Sequence, residues 1–334
     1  MKIIRNIKVP TGNILIVENE QGRKLECVSL GDYGAQNNLK ADFLGLTKDI
    51  IKVKSQDVMP LTDKWVVTIS TQFGCNSNCI FCDVPKVGPG VNASYDDMLQ
   101  QIKLGLSMHP EVTSTKRLNI HYARMGEPTW NQSVLKLSRN MHRELKGIVG
   151  DSLIHPVIST MCPNKNKGLK SFLDDWMNIK NTTYGGNAGL QFSINSTSDY
   201  ERNIMFSNNC LSLDEISVMS KHYRPEGRKI TLNFAVADYE VNAEKLAKLF
   251  SPEYFVVKLT PMHKTYSAVE HGIKTDGDYT TFYPYKTIEE NLKAVGFDVL
   301  VFITSDDEDL GRITCGNAIL SGTKPLCKYQ DITL

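Results

Sequence analysis

Trp65-Val66-Val67-Thr68-Ile69-Ser70 runs through Thr71-Gln72-Phe73-Gly74 into Cys75-Asn76-Ser77-Asn78-Cys79-Ile80-Phe81-Cys82, an apolar run followed at once by three cysteines at C-x3-C-x2-C spacing. The apolar run reads as a buried strand. Thiolates are soft ligands, and iron–sulfur clusters are held by such cysteines. A [4Fe–4S] cube has four irons, so three cysteines leave one iron open to a small molecule. Two other readings compete. A structural zinc site needs a fourth Cys or His at finger spacing, and His109, His121 and Cys162 stand at no paired spacing. Disulfides suit an odd number of cysteines in one loop poorly.

From residue 63 the chain alternates strand and helix. The pattern predicts strands at 65–70, 118–122, 154–159, 189–194, 229–236 and 254–260. Helices are expected near 94–108, 131–146, 167–178, 199–222 and 242–250, then a helix at 287–296 and a strand at 298–303. Such alternation argues for parallel strands covered by helices. The expected fold class is α/β, a partial (β/α)6 TIM-like barrel over residues 63–305. A small β-rich N-terminal extension (1–62) precedes it, with one strand pair flanking the Glu20-Gln21-Gly22-Arg23 turn. A C-terminal tail (306–334) carries Cys315. In such barrels the chemistry sits at the carboxyl ends of the strands, where the cysteine loop falls.

The 334 residues are 41% hydrophobic and 22% charged, enough for one large domain and a sizeable core. Thirty-eight Lys and Arg against 37 Asp and Glu leave a net charge of +1, without the basic excess of a strong nucleic-acid binder. No signal-peptide pattern and no apolar stretch of membrane-spanning length appear. Eight cysteines at unpaired spacings point to a reducing compartment and a cytoplasmic location.

The cysteine loop, with an aromatic before its last Cys, resembles the radical S-adenosylmethionine (AdoMet, SAM) superfamily. The resemblance implies an open iron that chelates AdoMet and an electron transfer that cleaves it to a 5′-deoxyadenosyl radical. Further segments are similar, in order, to the RlmN/Cfr-type methyltransferases, which methylate an adenine ring carbon in RNA. These are Gln72-Phe73-Gly74-Cys75, Met125-Gly126-Glu127-Pro128 with Asn131, Ile158-Ser159-Thr160, Ser193-Ile194-Asn195-Ser196 with Tyr200-Glu201-Arg202, Leu259-Thr260-Pro261-Met262-His263, and Thr314-Cys315-Gly316-Asn317-Ala318. The resemblance covers about residues 63–320. It implies that Cys75, Cys79 and Cys82 hold the cluster. It also implies that Gly126, Glu127, Ser159, Ser193, Asn195 and His263 bind AdoMet, and that Cys315 is methylated and passes its carbon to the substrate. An electron donor such as flavodoxin or ferredoxin is implied as well.

Three departures matter. The family's second cysteine, which helps to break the covalent intermediate, is Thr68 here, and a hydroxyl is a far weaker acid and nucleophile than a thiol. Either another residue, such as Cys162 or Cys327, takes that role, or the reaction ends differently. Asn195 and His263 stand where the family has His and Asn. Only about sixty residues precede the barrel, leaving no room for the family's helical RNA-binding domain. With the balanced charge this weakens the case for ribosomal RNA as substrate; RNA or a nucleotide-like molecule is the partner that the resemblance implies. The alternatives are a radical enzyme acting on a small molecule or free nucleotide, and a cluster protein that only binds or senses. Cys27 and Cys210 read as packing residues. The aromatic run from Tyr279 to Tyr285 reads equally as a stacking surface or an apolar plug.

Overall fold

The computed structural model describes residues 1–31, 58–150, 152–275, 283–304 and 306–333. The aromatic run lies outside the described residues up to position 282.

Among the described residues there are thirteen strands: β1 (Lys2–Val9), β2 (Gly12–Glu18), β3 (Lys24–Leu30), β4 (Trp65–Ile69), β5 (Gln72–Phe73), β6 (Val91–Asn92), β7 (Leu118–Tyr122), β8 (Ile154–Thr160), β9 (Gly189–Ser193), β10 (Ile230–Val236), β11 (Phe255–Pro261), β12 (Asp298–Val301) and β13 (Gln330–Thr333). The helices are α1 (Tyr95–Leu106), α2 (Ser133–Val149), α3 (Leu169–Asn178), α4 (Asp199–Met205), α5 (Leu213–Ser220), α6 (Ala243–Leu249), α7 (Tyr266–Glu270), α8 (Tyr283–Ala294) and α9 (Asp306–Leu310). Eleven strands form one sheet, in the order β12-β11-β10-β9-β8-β7-β4-β3-β2-β1-β13. The strands from β4 to β12 in that order pair parallel, each beside the next in sequence. This is the α/β class expected, and the six predicted core strands fall within a residue or so of their places. Among the described residues no ladder joins β12 to β4, so the parallel strands form an open sheet.

Where the structure differs, local reasons are visible. The lead-in holds three strands rather than one pair. β3 pairs antiparallel with β4, and β1 with β13, so the N-terminal strands, the core and the tail share one sheet. The helix expected over 199–222 is broken in two. Ser207 and Asn208 adopt φ of 51° and 56°, and Ser198 and Ser212 each cap the helix that follows.

The outer faces of the parallel strands build the core. In β10, Ile230, Leu232, Phe234 and Val236 are buried while Thr231, Asn233 and Ala235 are partly exposed on the opposite face. In β11, Phe255, Val257 and Leu259 pack outward while Val256 and Lys258 face a central cavity. A strand alternates faces residue by residue, so this pattern puts helices on one side and open space on the other. α1 is fixed at its start by a capping box between Ser94 and Asp97. Trp65, Trp176, Phe172, Phe192 and Phe234 are fully buried.

Candidate active site

The cysteine loop leaves β4 through β5 and is pinned from three sides. Gly74 has φ of +92°, and a Cβ there would stand 2.2 Å from the Gly88 carbonyl oxygen, so only glycine fits. Ser207 Oγ donates to the Asn78 carbonyl at 2.5 Å, and Asn209 Nδ2 to the Ser77 carbonyl at 3.1 Å. The Ile80 amide donates to the Met205 carbonyl at 3.0 Å. Cys79, Ile80 and Phe81 pack on a small apolar cluster that includes Met161, Met205, Phe206 and Met262.

The cysteines suit a cluster chemically. Cys75, Cys79 and Cys82 are only partly exposed, and burial pushes all three thiols up. The charges of neighbouring cysteines raise Cys79 and Cys82 further. Cys75 Sγ accepts a hydrogen bond from the Ser77 amide at 3.4 Å. Desolvated thiolates are costly unless cations neutralise them. Among the described residues no three His, Cys, Asp or Glu side chains converge to hold a metal ion. A four-iron cluster, which takes one thiolate per iron, does not need such convergence.

The segment after β7 lies against this loop. The Thr71 and Gln72 amides donate to the Met125 carbonyl at 2.7 and 3.2 Å, and the Glu127 amide donates to Gln72 Oε1 at 3.0 Å. Gly126 has φ of +93°, and a Cβ on it would meet Gln72 Cβ at 2.6 Å. Gly126 lines the cavity, whereas Glu127 does not. The Glu127 carboxylate is buried and accepts from Thr129 Oγ1 at 2.7 Å, the Thr129 amide at 3.2 Å and the Met161 amide at 3.1 Å. Burial pushes its pKa up, against these bonds. The carboxylate thus ties the end of β7 to the end of β8.

A cavity of about 910 Å³ runs along the inner face of the parallel strands. Ser159, Ser193, Asn195 and His263 line it together with Gly126, Thr68 and Cys315. The residues singled out after β7, β8, β9 and β11 therefore share one space, apart from Glu127. Asn195 has φ of +62°, and its side-chain carbonyl accepts from the Ala235 amide at 3.0 Å, joining the ends of β9 and β10.

Cys315 is exposed. The Asp83 amide, one residue beyond Cys82, donates to the Gly316 carbonyl at 2.8 Å. Asp83 in turn receives the Ser267 amide and hydroxyl, both at 2.8 Å, and Thr265 Oγ1 donates to the Phe81 carbonyl at 2.7 Å. The loop carrying Cys315 thus rests on the cysteine loop. His263 Nδ1 stands 3.4 Å from Asp309 Oδ1. Burial works to raise the Asp309 carboxyl, but the His263 ring, the Lys264 amide and the Thr314 hydroxyl outweigh it and bring it to about 2.

Two groups that composition does not flag anchor the tail. Arg124 is buried and donates to Glu26 Oε2 through Nε at 3.0 Å and Nη2 at 2.7 Å, and through Nη1 to the Arg312 carbonyl at 3.0 Å. Glu26 Oε1 accepts from the Leu320 amide at 2.5 Å. Arg124 stands directly before the Met-Gly-Glu-Pro segment, its one sequence signal. Cys162 is fully buried and outside the cavity lining, and Cys327 packs against the small core of β1 and β2. Neither lines the cavity that Cys315 lines. Cys27 and Cys210 are buried.

A run of parallel strands in sequence order, with a three-cysteine loop after the first, is the arrangement expected of a radical AdoMet type of protein. The same fold occurs in a radical SAM methyltransferase from Sphaerobacter thermophilus, with a TM-score of 0.61 and 19% identity over 92% of this chain and 77% of that one. In sequence the chain is RlmN/Cfr-like. It is 30% identical over 221 residues to a "Probable dual-specificity RNA methyltransferase RlmN" of Fervidobacterium nodosum, covering 62% of this chain and 57% of that protein. It is 26% identical over 263 residues to the "Dual-specificity RNA methyltransferase RlmN" of Sorangium cellulosum, covering 77% and 62%. The chain thus spans less than two thirds of the length of these relatives. No protein-family model matches it. Among the described residues no helix is long and apolar enough to cross a membrane.

Proposed function

We propose that the chain is a radical AdoMet enzyme that methylates an sp2 carbon of an adenine-type base through Cys315. Cys75, Cys79 and Cys82 would hold a [4Fe–4S] cluster. When bound, the cluster supplies the single electron, passed on from a donor such as flavodoxin or ferredoxin, that cleaves AdoMet. The chain's own residues do the rest. Gly126, Ser159, Ser193, Asn195 and His263 would bind AdoMet along the strand ends. Glu127 would serve AdoMet by fixing the Gly126 turn, because its carboxylate is already engaged by Thr129 and Met161 and its amide by Gln72. Met161, Phe206 and Met262 beside the loop would keep water from a reactive radical. Cys315 would accept a methyl group on sulfur and present it to the base.

What supports this reading is the hydrogen bond from the Asp83 amide to the Gly316 carbonyl, which seats an exposed cysteine over the cysteine loop at the cavity wall. Mass analysis of the Cys315 peptide, from protein made with active AdoMet supply, tests it. A methylated Cys315 is expected, and a consistently unmodified one refutes the role.

One observation favours a second outcome of the same chemistry. Thr68 lines the cavity and no second thiol does. Release of a Cys315-linked product by thiol attack is then not available, and a small molecule or free nucleotide would leave by another route. Deoxyadenosine formed without methylated base, on incubation with RNA, would select this reading.

A further inference from the structure

Arg202, on α4, is fully buried. Asp199 Oδ1 stands 3.8 Å from its Nε, and among the described residues Nε has no hydrogen-bond partner. The other nitrogens are engaged by backbone. Nη1 donates to the carbonyls of Ser193, at 3.2 Å, and Ile194, and Nη2 donates to the Leu211 carbonyl at 3.1 Å. Burial pulls the guanidinium below the ordinary arginine pKa. A buried cation is costly, and an apolar side chain of similar volume often serves stability as well or better. What a guanidinium adds is a planar set of donors that holds several acceptors in fixed relation.

These acceptors belong to two parts of the site. Ser193 and Ile194 form the exit of β9 and lead into Asn195. Leu211 ends the segment after α4, and that segment grips the cysteine loop through the Met205 carbonyl and the side chains of Ser207 and Asn209. The guanidinium also lies over the Phe206 ring, with Cζ 5.5 Å from its centroid. Phe206 meets Phe81 edge to face at 5.6 Å, and Phe81 stands between Cys79 and Cys82. Unbroken contact thus runs from the β9 exit through Arg202 and Phe206 to the cysteine loop. Packed interiors deform little, so a path of this kind transmits a displacement. Ser193, Asn195 and Phe81 all line the same cavity.

We infer that Arg202 is a positioning residue that fixes the exit of β9, with Ser193 and Asn195, against the cysteine loop. The mechanical link stands on the contacts above. Only its consequence, that AdoMet held by Ser193 and Asn195 is kept in register with the cluster, rests on the function proposed above. Misplacement of a reacting group by about 1 Å can cost roughly 100-fold in rate, so a rigid link between the two segments matters to the chemistry.

Arg202→Met and, separately, Arg202→Lys test this in the full chain after anaerobic reconstitution. Hydrogen exchange followed by mass analysis reads the link. The Ile194 and Asn195 amides donate to the Asn233 carbonyl, and the Ile80 amide to the Met205 carbonyl. Arg202→Met is expected to speed exchange at least about fivefold in the peptides that carry both sets, with β1 to β3 unchanged. Faster exchange throughout the chain, or at the β9 exit alone, overturns the link. Iron per chain is expected to stay within about twofold of wild type, since the three cysteines remain. AdoMet is expected to bind at least about tenfold more weakly, the scale of one charge-assisted hydrogen bond, and to lose most of its effect on the paramagnetic resonance spectrum of the reduced cluster. Arg202→Lys keeps the charge without the planar fork and should fall between. Wild-type AdoMet affinity and spectral response in folded Arg202→Met, or iron lost in step with AdoMet, overturns the positioning role. Thermal unfolding identifies a variant that fails to fold. If both do, Phe206→Leu decides, because it interrupts the same path at its middle: faster exchange at Ile80 is expected, and an unchanged rate overturns the link. If the wild-type chain takes up no iron, the radical reading falls, while the exchange pattern still decides the link.

Discussion

Glu26→Gln keeps the shape of a buried side chain and removes its charge. Arg124 and Glu26 are 2% and 0% exposed as side chains, with Nη2 and Oε2 2.7 Å apart. Breaking a buried pair by neutralising one partner typically costs about 3–5 kcal/mol, because the other charge is left uncompensated. The same pair holds the tail, since Arg124 donates to the Arg312 carbonyl and Glu26 accepts from the Leu320 amide on either side of Cys315. The loss should therefore appear first as opening of the segment around Cys315. Arg312 is 4% exposed, which protects the bond after it from trypsin. If opening and closing are fast relative to cleavage, the cleavage rate follows the open population. About 3 kcal/mol then corresponds to roughly a 100-fold faster tryptic cut after Arg312. Native-state proteolysis followed by mass analysis reads this directly. Arg124→Met on top of Glu26→Gln should recover part of the loss, because no lone buried charge remains. Cleavage less than about fivefold faster in Glu26→Gln, or an added loss in the double variant, would refute the reasoning.

Further outcomes follow from the same geometry. Cys75→Ala, Cys79→Ala or Cys82→Ala should each reduce iron per chain severalfold after anaerobic reconstitution, read by iron analysis and visible absorption; zinc bound in place of iron by the wild-type chain would contradict the cluster. Gly126→Ala should cost about 2 kcal/mol or more in urea unfolding, since φ of +93° is strained for alanine and its Cβ would meet Gln72 at 2.6 Å. The Asp309 carboxyl, at about 2, lies below its unfolded value, so its stabilisation is full above about pH 4 and fades as pH falls toward 2. The urea midpoints of wild type and Asp309→Asn should differ at pH 6, still differ by roughly half as much at pH 3, and converge only below about pH 2. Thr68→Cys should raise the number of methyl transfers per chain if a missing second thiol limits release, as counted by labelled methyl in base; an unchanged count would place the limit elsewhere.

The core strands were legible because each is a run of five to seven mostly apolar residues between polar breaks, as in Trp65–Ile69 and Ile154–Thr160. The cysteine loop was legible because its meaning lies in local spacing. The split of the 199–222 helix was not, because Ser207 and Asn208 leave helical geometry to hold the cysteine loop, a contact more than a hundred residues away in sequence. The setting of Glu127 was not legible either, because the Met161 amide that binds its carboxylate comes from the end of β8, more than thirty residues away.

By itself the sequence determined the α/β class, the order of the strands and the three thiols in one loop, because these depend on short-range periodicity and on residues within a few positions of each other. The tertiary structure alone decided which polar side chains share a cavity. Lys258, Arg228 and His121 are ordinary residues in their own segments, and they line one cavity only when parallel pairing stacks the inward positions of successive strands. It also decided that Cys315, some 230 residues from Cys82, rests on the cysteine loop, because a backbone hydrogen bond between distant segments leaves no trace in side-chain identity.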